Sequence, residues 1–275
     1  MYEEHRSFKL PKNSEEKMIW RYMDLPKFID LIDKRALFFT KASRYPDPYE
    51  GTIPKHNELV RKTIYEKVRP EFESDEQFNN FVNNAPEIFG SILKQYRDLV
   101  MINSWHLSDY ESAALWELYG TKTGIAIQST IGDLKESFAM TDDSIWIGCV
   151  NYIDFNYQWM DEWNIFEAFA IKRPSFSYEA EIRAVTCLPD NNIGNSVLSK
   201  LNIERKANSP SHQRLSNPSE LTDDGKYVKV DLGKLINLVY VSPMALSYFK
   251  NVTESIVLKY ELDKKVIKSD LYTLK

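Results

Sequence analysis

The chain has 275 residues, 43% hydrophobic and 27% charged, which is enough for one large domain with a sizeable core. Its formal net charge of −5 gives no electrostatic case for nucleic acid or an anionic membrane as a default partner. Nine glycines, with neither a P-loop nor a dinucleotide fingerprint, argue against a Gly-rich nucleotide fold, and two cysteines with four scattered histidines argue against a structural zinc site.

No apolar run approaches a membrane span, and residues 1–16 are polar without a signal-peptide core, so a cytoplasmic protein is expected. Residues 1–18 read as an arm, and 18–22 as a short aromatic-flanked strand. Leu25, Phe28, Ile29 and Ile32 then recur at helical spacing, with Asp24 placed to cap and Pro26 suited to the first turn. A strand over 36–41 leads into the turn Arg44-Tyr-Pro-Asp-Pro-Tyr-Glu-Gly51. Residues 57–98 are helical in pattern: one helix over 57–72, then one or two over 75–98 with a break near Pro86. Strands are predicted over 99–104, 124–128 and 144–154, and short helices over 110–119 and 131–138. Trp116 and Tyr119 in the first of these helices read as core. A helical stretch over 159–171 precedes a strand over 178–187. Residues 188–226, rich in Asn, Ser, Pro and Asp, read as a long loop. Strands over 227–231 and 238–242 follow, and the last thirty residues mix one helix with a terminal strand. Cys149 and Cys187 fall in apolar strand patterns and read as buried thiols. Strands and helices without regular βαβ alternation predict one α+β domain over 1–275, with a helical insertion at about 57–98 and a loop at about 188–226.

The segment Phe176-Ser-Tyr-Glu-Ala-Glu-Ile-Arg-Ala-Val185 concentrates the functional question. Read as a strand, it points Glu179, Glu181 and Arg183 one way and Ala180, Ile182 and Ala184 the other. A buried face gains nothing from such a row of charges, so that face is either solvent or a site. Other candidates each carry two readings. Arg21 either forks onto a pyrophosphate or pairs with Glu50 or Asp47. Asp47 and Glu50 either position a ligand or metal, or serve turn chemistry. His106, beside Ser104, Trp105 and Ser108, either faces a cleft or is a hydrogen-bonded strand histidine; no nucleophile elbow accompanies it. Lys172 and Arg173 either meet phosphate or end a solvated helix.

Several motifs together carry a resemblance. They are Trp20-Arg-Tyr22, Leu37-Phe-Phe-Thr40, Tyr45-Pro-Asp-Pro-Tyr-Glu50, Ser104-Trp-His-Leu-Ser108, Ala114-Leu-Trp-Glu-Leu-Tyr119, Gly124-Ile-Ala-Ile127, Lys172, Tyr178-Glu-Ala-Glu-Ile-Arg183 and Leu238-Val-Tyr-Val-Ser-Pro243. From about residue 18 to the end, the chain resembles the uncharacterised bacterial family DUF2971. That family's usual Phe-Asn-Asp-Pro-Phe-Glu stands here as Tyr-Pro-Asp-Pro-Tyr-Glu, which keeps Asp47 and Glu50. More distantly, Arg21, then Thr40 and Ser43, then Glu179-Ala-Glu181 resemble the Arg–Ser–Glu type of ADP-ribosyltransferase. The Thr-Lys-Ala-Ser segment departs from that group's Ser-Thr-Ser, and the helical stretch 57–98 lies outside its minimal core.

The second resemblance implies a bent, split mixed β-sheet with flanking helices and an ADP-ribosyltransferase-like cleft. NAD would be the substrate, with Arg21 on its pyrophosphate beside Tyr22 and Thr40 or Ser43 on the nicotinamide ribose. Glu181 would face the developing ribosyl cation and Glu179 would activate the acceptor, a protein or nucleic acid. His106 and Phe176 would line the ligand, Phe176 from a substrate-facing turn. The family's bacterial spread implies a toxin or anti-phage setting. Two alternatives stand beside this reading. One is a non-catalytic sensor or interaction module. The other is a metal-dependent, nuclease-like hydrolase using Asp47, Glu50 and the glutamate pair.

Overall fold

The computed structural model describes residues 1–120, 122–189 and 220–274. Eleven strands are described: β1 (Met18–Asp24), β2 (Ala36–Lys41), β3 (Val100–Leu107), β4 (Gly124–Thr130), β5 (Trp146–Cys149), β6 (Asn151–Tyr152), β7 (Ile171–Lys172), β8 (Glu181–Cys187), β9 (Gly225–Lys229), β10 (Leu238–Val241) and β11 (Val266–Lys268). Nine form one mixed sheet, β11-β10-β4-β1-β3-β2-β9, with β8 and then β5 added at β3. Helices flank this sheet, so the fold is α+β.

The sheet divides at β3. One edge of β3 pairs with β8 from Val100↔Cys187 to His106↔Glu181. The other edge is shared by two strands, β1 at Ile19↔Leu107 and Trp20↔His106 and β2 at Thr40↔Ile102 and Lys41↔Met101. Between them Asn103, Ser104 and Trp105 have no strand partner on that edge among the described residues. The result is a fork in the sheet.

Alternation assigns the two faces. Ile19, Met23, Met101, Trp105, Ile125, Ile127, Ile182 and Ala184 build a core under helix α1 (Leu25–Lys34) and the C-terminal helix Ser247–Lys259. The expected cap of α1 is present, with Asp24 accepting from Lys27 N at 2.8 Å. On the opposite face Val100, Ile102 and Val185 pack beneath helix α3 (Asp75–Leu99) through its Phe78, Phe81, Phe89 and Ile92. Further along that face Trp20, Tyr22 and Ala126 pack on Leu115 and Trp116. Between these two apolar clusters lies the row His106, Ser104, Glu181 and Arg183.

Several boundaries differ from expectation. Helix α2 (His56–Tyr65) gives way to a 3₁₀ segment, and α3 runs unbroken through Pro86. Pro86 lies on the exposed side of α3, where solvent can serve the carbonyl that the ring deprives of a donor. Residues 144–154 form two short strands, not one. The helix expected over 159–171 reduces to the 3₁₀ turn Ile165–Phe169, because Asp161 takes the Trp163 N–H and Asn57 and Arg61 draw Glu162 inward. The loop expected over 188–226 lies mostly outside the described residues, and β9 occupies its end.

The arm is also not free. Cys149 N donates to Lys9 O at 2.9 Å, Phe8 stacks on Trp146, and Tyr2 bridges Ile145. Gly148 allows this approach, since a Cβ there would fall 2.4 Å from the Phe8 carbonyl carbon. Gly148→Ala should therefore lower stability by about 1–3 kcal/mol, the usual cost of overpacking. The check is urea unfolding, accompanied by faster proteolysis within residues 1–10.

Candidate functional site

The charged row is neither solvated nor open. Arg183 has no exposed surface and Glu181 is 4% exposed. Alternation accounts for their shared face, and counter-ions from elsewhere in the chain account for their burial. The Asp47–Glu50 turn brings Glu50, whose two oxygens accept from Arg183 Nη1 at 2.7 Å and Nη2 at 2.8 Å. Strand β7 brings Lys172, which donates to Glu181 Oε2 at 3.2 Å and pairs with Glu179. Arg183 further donates to both oxygens of Glu181 and to Phe169 O, so all five of its N–H groups are engaged. Ser104 Oγ donates to Glu181 Oε1 at 2.6 Å, and Tyr45 Oη lies 3.2 Å from the same hydroxyl. Glu181 N donates to Tyr152 Oη at 2.8 Å.

The electrostatics follow from this packing. Burial alone would raise the Glu181 carboxyl, but the charges of Arg183 and Lys172, with hydrogen bonds from Arg183 and Ser104, bring it down to about 2. Burial opposes the Arg183 charge too, and Glu181 and Glu50 more than offset it, holding the guanidinium well above its ordinary range. Burial drives the Glu50 carboxyl up while Arg183 draws it down. The bidentate contact matches its ionised form.

Glu179 does not continue the strand. It ends the 3₁₀ turn Pro174–Glu179, and Ala180 at φ 38° breaks the alternation before β8 begins at Glu181. The pair therefore meets through Lys172 and not along one strand face. His106 is buried, and its Nδ1 donates to Glu179 O at 2.6 Å. Phe176, in the same turn, lies 4.8 Å from Lys172 Nζ and 5.4 Å from the Arg173 guanidinium.

Arg21 occupies the fork. Its Nη1 donates to Ser104 O at 2.9 Å, on the edge that β1 and β2 leave free. One residue thus joins Arg21 to Glu181, Ser104 accepting from the first and donating to the second. The carboxylates weighed as partners for Arg21 serve other cations: Glu50 holds Arg183, and Asp47 holds Arg173 at 2.8 Å. Among the described residues Arg21 forms no ion pair, and burial, partly countered by Tyr45, lowers its guanidinium to about 10. Tyr22 Oη accepts from Ser112 N at 2.7 Å, and its ring sets edge-on against Trp116 and against His106, the strand partner of Glu181.

Thr40 lies on β2 opposite Ile102, and Ser43 lies in the turn Ala42–Arg44. Neither hydrogen-bonds to Glu181, and the serine that does is Ser104. The β3–β8 pairing of Ser104 with Arg183 explains this, and the sequence carries no signal of that register. Among the described residues no group of three or more His, Cys, Asp or Glu is placed to hold a metal ion. Asp47, Glu50 and Glu179 are each bonded to a cation. No helix of the described residues is long and apolar enough to cross a membrane.

No family model, curated protein or solved structure matches the chain.

A pH dependence follows from Glu181. Its carboxyl is held at about 2 in the fold against an ordinary 4.5, so its contribution to stability is complete above about 4.5. That contribution drains away as pH falls from there toward 2. Glu181→Gln removes the titrating group and should flatten the stability–pH curve in that window, measured by urea unfolding at successive pH values. Glu181→Ala leaves Arg183 with Glu50 and Lys172 with Glu179 but removes the carboxylate that both share, emptying the buried Arg183 Nε of its acceptor, and should cost about 3–5 kcal/mol at pH 7.

Proposed function

We propose that this protein is an NAD-consuming enzyme, an ADP-ribosyltransferase or an NAD glycohydrolase, with Glu181 as the carboxylate that faces the ribosyl cation. The observation that carries this reading is a charge imbalance at the fork. Glu181 is ionised and fully bonded, while Arg21, half-buried and one residue away through Ser104, has no carboxylate partner among the described residues. A guanidinium left unmatched in a notch of a sheet suits an anionic ligand group, and a pyrophosphate matches its fork. Cleavage of the nicotinamide–ribose bond puts positive charge on the ribose, which a fixed ionised carboxylate stabilises. In this reading Ser104 orients Glu181, Thr40 or Ser43 contacts the nicotinamide ribose, and Glu179 takes the acceptor's proton after releasing Lys172. Phe176 and His106 bound the ligand. The acceptor is a protein, a nucleic acid or, for a glycohydrolase, water.

A second reading rests on the saturation of the same cluster. With every N–H of Arg183 bonded and both Glu181 oxygens occupied, the network serves as an internal clamp of a non-catalytic interaction module.

Nicotinamide release from NAD separates the two. The enzyme reading expects release from the wild type, a fall of about 10²–10³-fold in Glu181→Gln, and weaker NAD binding in Arg21→Ala with the fold retained. Undiminished release in Glu181→Gln would reject the site, and absence of NAD binding would reject the class in favour of the module.

A further inference from the structure

A groove of about 360 Å³ runs between α3 and the turn that follows Glu50. One wall is a helical stripe of α3, Pro86, Gly90, Leu93, Lys94 and Arg97, at spacings of three and four residues. The other wall is residues 51–54 with Glu58 and Arg61 of α2. Two glycines shape it. Gly90 has open space where a Cβ would stand, which leaves the stripe hollow at its middle. Gly51, at φ +68°, lets the Arg97 stem close in, since a Cβ there would fall 3.0 Å from Arg97 Cγ.

The charges in the groove do not balance. Arg61 is neutralised by Glu162 through two hydrogen bonds, at 2.6 and 3.1 Å. Among the described residues Lys94 and Arg97 form no ion pair, and Arg97 Nε is buried with no hydrogen-bond partner. A buried donor of this kind carries a penalty that an acceptor removes. Glu58 is the opposing acid, so two cations against one carboxylate leave a single positive charge in excess.

From this geometry we infer that the groove binds a small organic monoanion. Its carboxylate or singly charged phosphate group engages the Arg97 fork and Lys94, and its short apolar body lies on Pro54, Pro86 and Leu93 over Gly90. The planar guanidinium sets the preference for an oxyanion over a halide. The single net charge sets the preference for a monoanion, because Glu58 repels a second negative charge. This site is separate from Glu181 and does not depend on the reading given to it.

The test is an amide-resolved NMR titration of the full chain with benzoate. Benzyl alcohol serves as the neutral control, and sodium chloride holds ionic strength constant. Benzoate should produce saturable shifts at Thr52, Gly90 and Arg97, with an apparent Kd of about a millimolar, as befits a fragment of that size. Arg97→Gln should weaken binding about tenfold. Gly90→Phe, which fills the open space without touching a charge, should abolish it while the spectrum stays folded. Shifts equal for benzoate and benzyl alcohol, absence of saturable shifts in the wild type, or unchanged affinity in Gly90→Phe would each overturn the assignment.

Discussion

The contact on which the structure depends is the forked ion pair between Arg183 and Glu50, sealed inside the protein. A guanidinium with no exposed surface is tolerated only when each of its donors finds an acceptor, and this one reaches five. Those acceptors come from three places: the turn at Glu50, the carbonyl of Phe169 before β7, and Glu181 on its own strand. Such a pair adds little net stability compared with a well-packed apolar isostere. Its weight lies in the asymmetry, because losing any one partner leaves a charge stranded. The cluster therefore fixes the register of β8 and the position of the Asp47–Glu50 turn more firmly than it deepens the fold.

The second constraint is the fork at β3. A strand with one neighbour along one edge and two along the other must expose backbone where the two diverge. Ser104 lies at that point. Its carbonyl turns to Arg21 and its hydroxyl to Glu181, so a topological gap becomes the link between an unmatched cation and a matched anion. The apolar clusters on either side, Ile102 and Val185 under α3 and Trp20 with Tyr22 on Trp116, keep this polar seam narrow.

Much of the fold was legible because it is local. The spacing of Leu25, Phe28 and Ile32, the Asp24 cap and the β-branched runs of β4 and β10 identify their elements without tertiary help. Boundaries failed where side chains overrode periodicity. Asp161 and Glu162 pull a helical pattern into turns, and Ala180 in a left-handed conformation cuts Glu179 off from the strand it seemed to open. In the candidate site, the prominence of Glu181 and Arg183 was readable from alternation, but their burial was not. Glu50 and Lys172 lie 133 and 9 residues from their partners, and nothing in a single sequence pairs them. Ser104 was visible beside His106, yet only the β3–β8 register directs it to Glu181.

The saturation of Glu181 and the isolation of Arg21 bear on each other. A carboxylate holding four short contacts acts on a ligand only by exchanging one of them, and the contacts are not equivalent. Those from Arg183 are backed by Glu50 and cannot leave without stranding a buried charge. Lys172 differs, because it is shared with the less buried Glu179 and lies against the Phe176 ring, so it can move toward either carboxylate without losing its partner. Ser104 differs too, because its hydroxyl has Tyr45 as a second neighbour. Exchange at Glu181 therefore runs through Lys172 or Ser104. Ser104 is also the residue that receives Arg21, so its carbonyl on the fork and its hydroxyl on the buried cluster tie any exchange at that contact to the position of Arg21.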